Sequence, residues 1–200
     1  MKLGLQGRIL LMLCLVSLLQ LVLLSGASYY YVSEQRYREV GDQALDVARL
    51  VAREPGVIAG VKRADTARLN VLVERMRAEV GASYIVIGDG EARRLVHPNA
   101  DRIGKPMMGD DPGRALQGEF YISRAQGSLG VSVRGKGPIR DEMGRVIGVV
   151  SVGYLVRDIE ADLQGFLRFG LAMTLLIVLL NSAAAAWLAK RYKRALLGFE

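Results

Sequence analysis

Apolar residues are concentrated in two long runs, one near each end of the chain. No Asp, Glu, Lys or Arg occurs from residue 9 to 33 or from residue 169 to 189. A helix needs about 20 mainly apolar residues to cross the hydrocarbon core of a bilayer, and both runs are long enough. The pattern therefore predicts two transmembrane helices with a polar domain between them, at residues 9–32, 168–189 and 33–167.

The segment between the two runs changes from a helical to a strand period. Apolar residues recur at spacings of three and four from Glu34 to Arg53, where Glu54-Pro55-Gly56 ends the run, and again from Asp65 to Val80, before Gly81. Alternating and β-branched patterns then predict a short helix near 114–117 and five strands, at residues 83–90, 92–98, 119–125, 128–141 and 145–156. Two helices followed by five strands indicate an α+β domain with a central antiparallel sheet.

Basic residues flank both predicted spans on the sides away from the domain. They are Lys2 and Arg8 before the first span, and Lys190, Arg191, Lys193 and Arg194 after the second. Because short basic flanks stay in the cytoplasm, we expect residues 1–8 and 190–200 to be cytoplasmic and the domain to lie outside. The small residues Ser25-Gly26-Ala27 leave a cleaved signal peptide as the alternative for the first run.

The basic character of the chain comes mainly from these flanks. The formal net charge is +7, but residues 34–167 contain 20 Lys and Arg against 19 Asp and Glu, a net of +1. The remaining +6 lies outside the domain, mostly where basic residues meet anionic lipid headgroups. The charge therefore predicts contact with membrane lipid and no nucleic-acid partner.

The chain has one cysteine, Cys14 in the first apolar run, and one histidine, His97. The domain therefore has no disulfide, and one histidine with a cysteine in the apolar run supplies no recognisable set of metal ligands. We assign no catalytic residue, metal or cofactor within the 200 residues. A membrane-anchored hydrolase that uses His97 as its general base stays open as an alternative.

One predicted strand carries two cations on the same face. Side chains alternate along a strand, so Leu129, Val131 and Val133 share one face of segment 128–141 and a polar set shares the other: Ser128, Gly130, Ser132, Arg134 and Lys136. A second predicted strand carries Arg94 and His97. If the sheet brings the two groups together, the cluster suits a carboxylate, because Arg offers a two-donor fork and Lys a point charge. The alternative is an ordinary solvated face.

The spacing of Arg94 and His97 sets a condition on this cluster. Residues three apart face opposite sides of an unbroken strand. Pro98 keeps His97 out of helical conformations, and a bulge or bend would turn the imidazole to the side of Arg94. The sequence permits such a bend without requiring it.

Four segments together resemble a known family. They resemble the membrane-anchored, extracytoplasmic PAS-like sensor region of citrate and C4-dicarboxylate sensor histidine kinases, and "GSLG" followed by "RGK" fits the citrate-sensor subgroup best. The segments are "GASYIVIGD", "RRLVHPNADRIGKPM", "YISRAQGSLGVSVRGKGPI" and "GRVIGVVSVGY". The resemblance implies a PAS-like domain with a five-stranded antiparallel sheet and flanking N-terminal helices, inserted between two transmembrane helices.

The same resemblance implies a set of ligand-binding residues. Those expected to hold the ligand's carboxylates are Arg94, His97, Arg134 and Lys136. Neutral donors and pocket-lining positions are expected from Ser128, Gly127, Leu129, Met107 and Ser151. Where the citrate sensors place a threonine in the first strand, this chain has Val86, which leaves malate, succinate and tricarballylate beside citrate as expected ligands.

The function implied is that of a two-pass receptor in a bacterial inner membrane. Such a receptor acts as a homodimer and passes ligand binding to a histidine kinase and its response regulator. The chain ends at "KRALLGFE", where these receptors continue into a cytoplasmic PAS domain and the kinase, so we expect a sensor fragment that is not itself an enzyme. Three alternatives remain: the same sensor feeding a chemoreceptor or a cyclic-dinucleotide enzyme, the hydrolase, and a scaffold without a ligand.

Overall fold

The structure is a computed structural model that describes residues 5–107 and 112–197. In these residues the elements follow the order helices, sheet, helix. They are α1 (Leu5–Arg53), α2 (Pro55–Arg63), α3 (Thr66–Val80), β1 (Tyr84–Asp89), β2 (Arg94–Val96), a 3₁₀ helix (Ala100–Arg102), α4 (Pro112–Leu116), β3 (Tyr121–Gly127), β4 (Gly130–Arg140), β5 (Val146–Leu155) and α5 (Val156–Leu197).

The five strands form one antiparallel sheet in the order β2-β1-β5-β4-β3. Helices α1, α2 and α3 cover one of its faces, where Ile85 and Ile87 of β1 pack in a buried core with Val51, Val57 and Leu69 of the helices. Because side chains alternate along a strand, the residues between these isoleucines point to the other face. The predicted fold, an α+β domain with N-terminal helices and a five-stranded antiparallel sheet, is confirmed.

The domain has one more N-terminal helix than the pattern predicts. Glu54-Pro55-Gly56 ends α1 as expected, but Pro55 is also the first residue of α2, with Glu54 at its N-cap position. Proline is favoured there because its missing N–H would have no partner in a first helical turn. Helix α2 buries Val57 and Val61 in the core.

Four strands are shorter than predicted, and β2 and β4 differ most from their predicted ranges. Strand β2 covers only Arg94–Val96, because the chain leaves the sheet before His97, and β4 begins at Gly130. Ser128 and Leu129 are therefore not strand residues; they form the two-residue turn of the β3–β4 hairpin. Gly130 completes this turn with a φ of 125°, a conformation that suits glycine.

The described chain divides into two compact units. One is residues 35–161, which contains the whole sheet, and the other combines the segments on either side of it. Two helical stretches, Cys14–Arg53 and Leu167–Trp187, are long and apolar enough to cross a membrane. Large apolar side chains in these helices are exposed, including Leu15 and Leu171.

Gly135 marks a close approach of α1 to the sheet. A Cβ at this position would overlap the backbone of Ala44 and Leu45 in α1. We therefore expect Gly135→Ala to lower the free energy of unfolding of the domain by about 3 kcal/mol, since overpacking forces the surrounding backbone to move. Scanning calorimetry of the full chain in detergent micelles measures this change.

The matched control is Gly90→Ala. A Cβ at Gly90 meets only an ordinary contact with the carbonyl oxygen of Ile147. We expect this variant to unfold within about 0.5 kcal/mol of the wild type, as surface substitutions usually do. Equal midpoints for the two variants would contradict the close packing of α1 on β4.

Candidate ligand-binding site

The face of the sheet opposite the helices carries two cross-strand rows of residues from β1, β5 and β4. The strand registers align these rows as Val86–Ser151–Lys136 and Tyr84–Gly153–Arg134. The rows are two residues apart on each strand, so their side chains project from the same face. Arg134 and Lys136 consequently line one pocket.

A bulge in β2 brings Arg94 and His97 to the same pocket. Ile87 of β1 pairs with Val96, but the next residue, Gly88, pairs with Arg94, so Leu95 is an extra residue without a partner in the register. A bulge of this kind bends the strand and re-aims its side chains. It supplies the bend that the three-residue spacing demands, and both side chains line the pocket.

The loop after β2 fixes the position of Arg94. The backbone N–H of Arg94 donates to the carbonyl of Lys105 at 3.0 Å, and the N–H of Gly104 donates back to the carbonyl of Arg94 at 2.8 Å. The guanidinium also donates through Nη1 to the carbonyl of Pro106 at 2.6 Å. This loop then places Met107 against the pocket.

The turn between β3 and β4 forms another wall of the pocket. The hydroxyl of Ser128 lies 2.9 Å from Nε2 of His97, so the turn contacts the end of β2. The next side chain, Leu129, packs with Tyr84 and Val86 of β1. The pocket therefore has a cationic part and an apolar part.

All nine residues predicted for the site line this one pocket. Tyr84 and Val86 complete the lining; Tyr84 was missed in the sequence because it reads as an ordinary strand residue. The nine are Arg94, His97, Met107, Gly127, Ser128, Leu129, Arg134, Lys136 and Ser151. The pocket has a volume of about 30 Å³, far below the roughly 300–1,000 Å³ of typical ligand pockets, so a ligand requires these side chains to move apart.

The cationic side chains of the pocket are almost fully buried. Lys136 is 1 % exposed, Arg94 4 % and Arg134 5 %, and none of the described residues that line the pocket is acidic. Burial lowers the pKa of Arg94, and the nearby charge of Arg102 lowers it further. An arginine offers a planar two-donor fork and a lysine a point charge, and both bind carboxylate or phosphate groups. The pocket is therefore suited to an anion.

His97 is held so that one ring nitrogen faces the pocket. Its Nδ1 lies 2.9 Å from the backbone nitrogen of Asn99, which donates to it, and 3.1 Å from the Asn99 carbonyl oxygen. In the neutral ring, Nδ1 accepts the hydrogen bond from the Asn99 backbone N–H, so the ring proton is on Nε2. In the protonated ring, Nδ1 donates to the Asn99 carbonyl oxygen and Nε2 also carries a proton. Nε2 is therefore a donor in both states. Burial lowers the pKa of His97, a hydrogen bond with the Asn99 backbone opposes this, and the charges of Arg94 and Arg102 lower the pKa further.

The orienting partner of His97 is a backbone group. A general base in a hydrolase is usually oriented by a carboxylate on its second ring nitrogen, whereas Nδ1 of His97 contacts Asn99. The arrangement therefore favours a binding role for the imidazole over the hydrolase alternative.

A larger concavity lies between α2 and α3, with a volume of about 580 Å³. Apolar or small residues such as Ala59, Gly60 and Leu72 form most of its lining, and Asp65 and three arginines form the rest. It lacks the convergent buried polar groups that fix the orientation of a small ligand. The smaller pocket on the sheet is therefore the better candidate site.

The fold and this pocket define the class of the protein as a PAS-like sensor domain. Residues 31–168 match the family described as "Single cache domain 3", and the chain belongs to that family.

Sensor kinases of other bacteria are similar in sequence to the chain. The chain is 39% identical over 156 residues to "Sensor histidine kinase CitA" of Klebsiella pneumoniae. This match covers 78% of this chain and 28% of the relative. It is 31% identical over 156 residues to "Probable C4-dicarboxylate sensor kinase" of Bacillus subtilis. This match covers 78% of this chain and 29% of the relative. The chain thus spans less than a third of the length of these two curated relatives.

A solved structure has the same fold. The E. coli DcuS sensor domain superimposes with a TM-score of 0.61 and 30% identity, covering 65% of this chain and 98% of the solved one. The expected kinship with citrate and C4-dicarboxylate sensor kinases is therefore confirmed.

The single histidine makes the electrostatics of the pocket directly measurable. We expect an NMR pH titration of the His97 ring in the full chain to give a pKa below the ordinary value for histidine, because burial and two arginines disfavour the charged ring. Arg102→Gln removes one of the repelling charges and raises the pKa of His97.

Arg93→Gln is the control for this titration. Arg93 is exposed and contacts Glu91, so its removal leaves the pKa of His97 unchanged. A pKa of His97 at or above the ordinary value in the unliganded chain, or an equal response to both substitutions, would contradict this view of the pocket.

Proposed function

We propose that the chain is a membrane-anchored receptor module that binds small di- or tricarboxylates in the pocket on the sheet. The observation that carries the proposal is the convergence of three buried cations, Arg94, Arg134 and Lys136, with His97 around one small space. The name of the Bacillus relative, a probable C4-dicarboxylate sensor kinase, supports a carboxylate as the ligand class. Citrate, malate, succinate and tricarballylate are the acids to test first.

The strength expected of such binding follows from the donors available. A hydrogen bond to a charged group contributes about 1.5–3 kcal/mol, so three or four such bonds give roughly 5–12 kcal/mol before the costs of association. Those costs and the opening of the pocket remove part of this sum. The remaining binding free energy is consistent with about −8 kcal/mol, which corresponds to a Kd on the order of micromolar.

The proposed topology places residues 9–32 and 168–189 in a bacterial inner membrane. Residues 1–8 and 190–200 are then cytoplasmic, and residues 33–167 form the sensor on the other side. The two apolar helical stretches and the basic flanks of the sequence support this orientation. The module acts as a homodimer and contacts lipid along both spans.

The proposed output is a histidine kinase of a two-component system, with its response regulator. The names of the relatives support this choice over a chemoreceptor or a cyclic-dinucleotide enzyme. The ligand can shift the receptor between two states only by as much as its affinity differs between them.

Arg134→Ala tests the carboxylate site. We expect it to weaken binding of the preferred acid by at least about 30-fold, since truncating one member of a buried charge pair costs 2–5 kcal/mol. Titration calorimetry of the full chain in lipid nanodiscs, with the four acids in turn, measures the change.

Arg124→Ala is the matched control for this substitution. Arg124 is exposed on β3, where its guanidinium stacks 4.1 Å from the ring centre of Tyr37, and it does not line the pocket. Its loss leaves affinity unchanged. If the folded wild-type chain bound none of the four acids, the result would contradict the proposed function.

The affinity for the acid depends on pH through His97. Its pKa is lowered in the unliganded pocket, and a bound carboxylate raises it by favouring the charged ring. Binding therefore takes up a proton, and affinity rises as the pH falls from 8 to 6 and levels off below the unliganded pKa.

His97→Gln serves as the reference for this pH dependence. Glutamine keeps a neutral donor but does not titrate, so the difference between the two chains removes the ionisation of the acid itself. Titration calorimetry at pH 6, 7 and 8 measures both. Identical pH profiles for the two proteins would rule out a role for the His97 charge.

A further inference from the structure

Three consecutive tyrosines lie near the end of the first apolar run that leads into the sensor domain. Tyr29, Tyr30 and Tyr31 belong to α1, and Glu34 is the first charged residue after them. Tyr30 is 72 % exposed and Tyr31 68 %. Among the residues that the structure describes, none forms a hydrogen bond with the three phenol hydroxyls. The hydroxyls are thus open to a partner outside the described chain.

The tyrosines surround α1 instead of marking one of its faces. Successive residues of an α-helix are about 100° apart around its axis, so three in a row spread over about 200°. A partner helix contacts one face, on which residues recur at spacings of three and four. Consecutive tyrosines therefore suit a surrounding that meets the helix from several sides at once, as a layer of lipid headgroups does.

The change from polar to apolar sequence occurs at the same level in α1 and α5. Tyr29 lines a space between the two helices together with Leu167 and Phe169 of α5, and all three belong to the same compact unit. Arg168 is the last charged residue before the second uncharged run, which begins at Phe169. The structure thus brings the boundaries of the two runs side by side, as expected where both helices leave the hydrocarbon core.

The other ends of the two runs lie about one bilayer thickness away. From Arg8 to Tyr30, α1 rises about 33 Å, and from Phe169 to Trp187, α5 rises about 27 Å. At that end, the guanidinium of Arg191 stacks 5.3 Å from the centre of the Trp187 ring. The hydrocarbon core of a bilayer is about 30 Å thick, and tyrosine and tryptophan are enriched at its two interfaces.

We propose that Tyr29, Tyr30 and Tyr31 form an anchor that binds the phospholipid headgroup layer on the sensor side of the membrane. The phenol hydroxyls donate hydrogen bonds to phosphate and ester oxygens of the lipid, and the rings contact the first methylene groups of the acyl chains. The anchor fixes the depth of α1 just before residue 35, where the sensor unit begins. This inference rests on the proposed topology, because it assigns a lipid contact to the end of the first span.

Tyr30→Trp tests the contact in a chain whose only native tryptophan, Trp187, is replaced by phenylalanine. The full chain is placed in nanodiscs of phosphatidylglycerol and phosphatidylethanolamine whose acyl chains carry bromine either near the headgroup or near the chain end. Because the anchor lies at the headgroup layer, we expect the shallow bromine to quench the indole at position 30 more strongly than the deep bromine. Fluorescence measures the two degrees of quenching.

Val22→Trp in the same background is the matched control. Val22 is exposed and lies about 12 Å from Tyr30 along α1, near the middle of the run, so the order of quenching reverses. Stronger quenching of position 30 by the deep bromine, or by iodide in the water and by neither lipid, would overturn the anchor and leave the topology intact. An indole at position 30 that no quencher reaches would indicate a second copy and also overturn it. If neither lipid quenched the indole at position 22, the proposed topology would fail as well.

The single cysteine measures whether the tyrosines fix the depth of α1. Cys14 is exposed, so a spin label on it reports its depth through its accessibility to oxygen and to a water-soluble nickel complex. With leucine in place of Tyr29, Tyr30 and Tyr31, the longer apolar stretch re-centres in the bilayer, and Cys14 moves about 4 Å towards the Arg8 side. Tryptophan at all three positions keeps the depth unchanged, because it also prefers the interface. Equal depths in the leucine variant and the wild type would overturn the anchor.

Discussion

The burial of several cations on one face of a β-sheet is the constraint on which the rest of the domain depends. Arg94, Arg134 and Lys136 lose nearly all contact with water in a pocket whose described lining residues include no acid. An anion that enters such a site meets several cationic donors that converge on one space, which favours its binding over that of a neutral molecule. The helices pack on the opposite face of the sheet, where their apolar side chains form the core with those of the strands.

Strand β4 links the pocket to the helical part of the same unit. Arg134 faces the pocket, while its neighbour Val133 packs on the other side in a cluster with Val40 of α1 and with Val156 and Ile159 at the beginning of α5. The hydroxyl of Tyr37 in α1 also donates to Glu160 at 3.2 Å. A displacement of β4 by a ligand therefore acts directly on contacts between α1 and α5.

Patterns with a simple period could be predicted from the sequence, but local irregularities could not. The two apolar runs, the five strands and the residues of the pocket follow from hydropathy, alternation and the resemblance of short motifs. Helix α2 was missed because Pro55 ends one helix and begins the next, and a sequence shows only the interruption. The bulge at Leu95 depends on pairing with β1, and the place of Tyr84 depends on Gly153 across the sheet. Neither relationship between strands is visible along one chain.

The central claim is that the pocket with the three buried cations binds a small carboxylate. It is tested most directly by scanning calorimetry of the full chain in nanodiscs with increasing concentrations of succinate, tricarballylate or citrate, against succinamide as a neutral isostere. A ligand that binds only the folded state stabilises it by RT ln(1 + [L]/Kd). The account predicts that the unfolding temperature of the sensor domain rises with the logarithm of acid concentration for at least one acid and stays constant with the diamide. An unchanged unfolding temperature with every acid, or equal stabilisation by the neutral diamide, would contradict it.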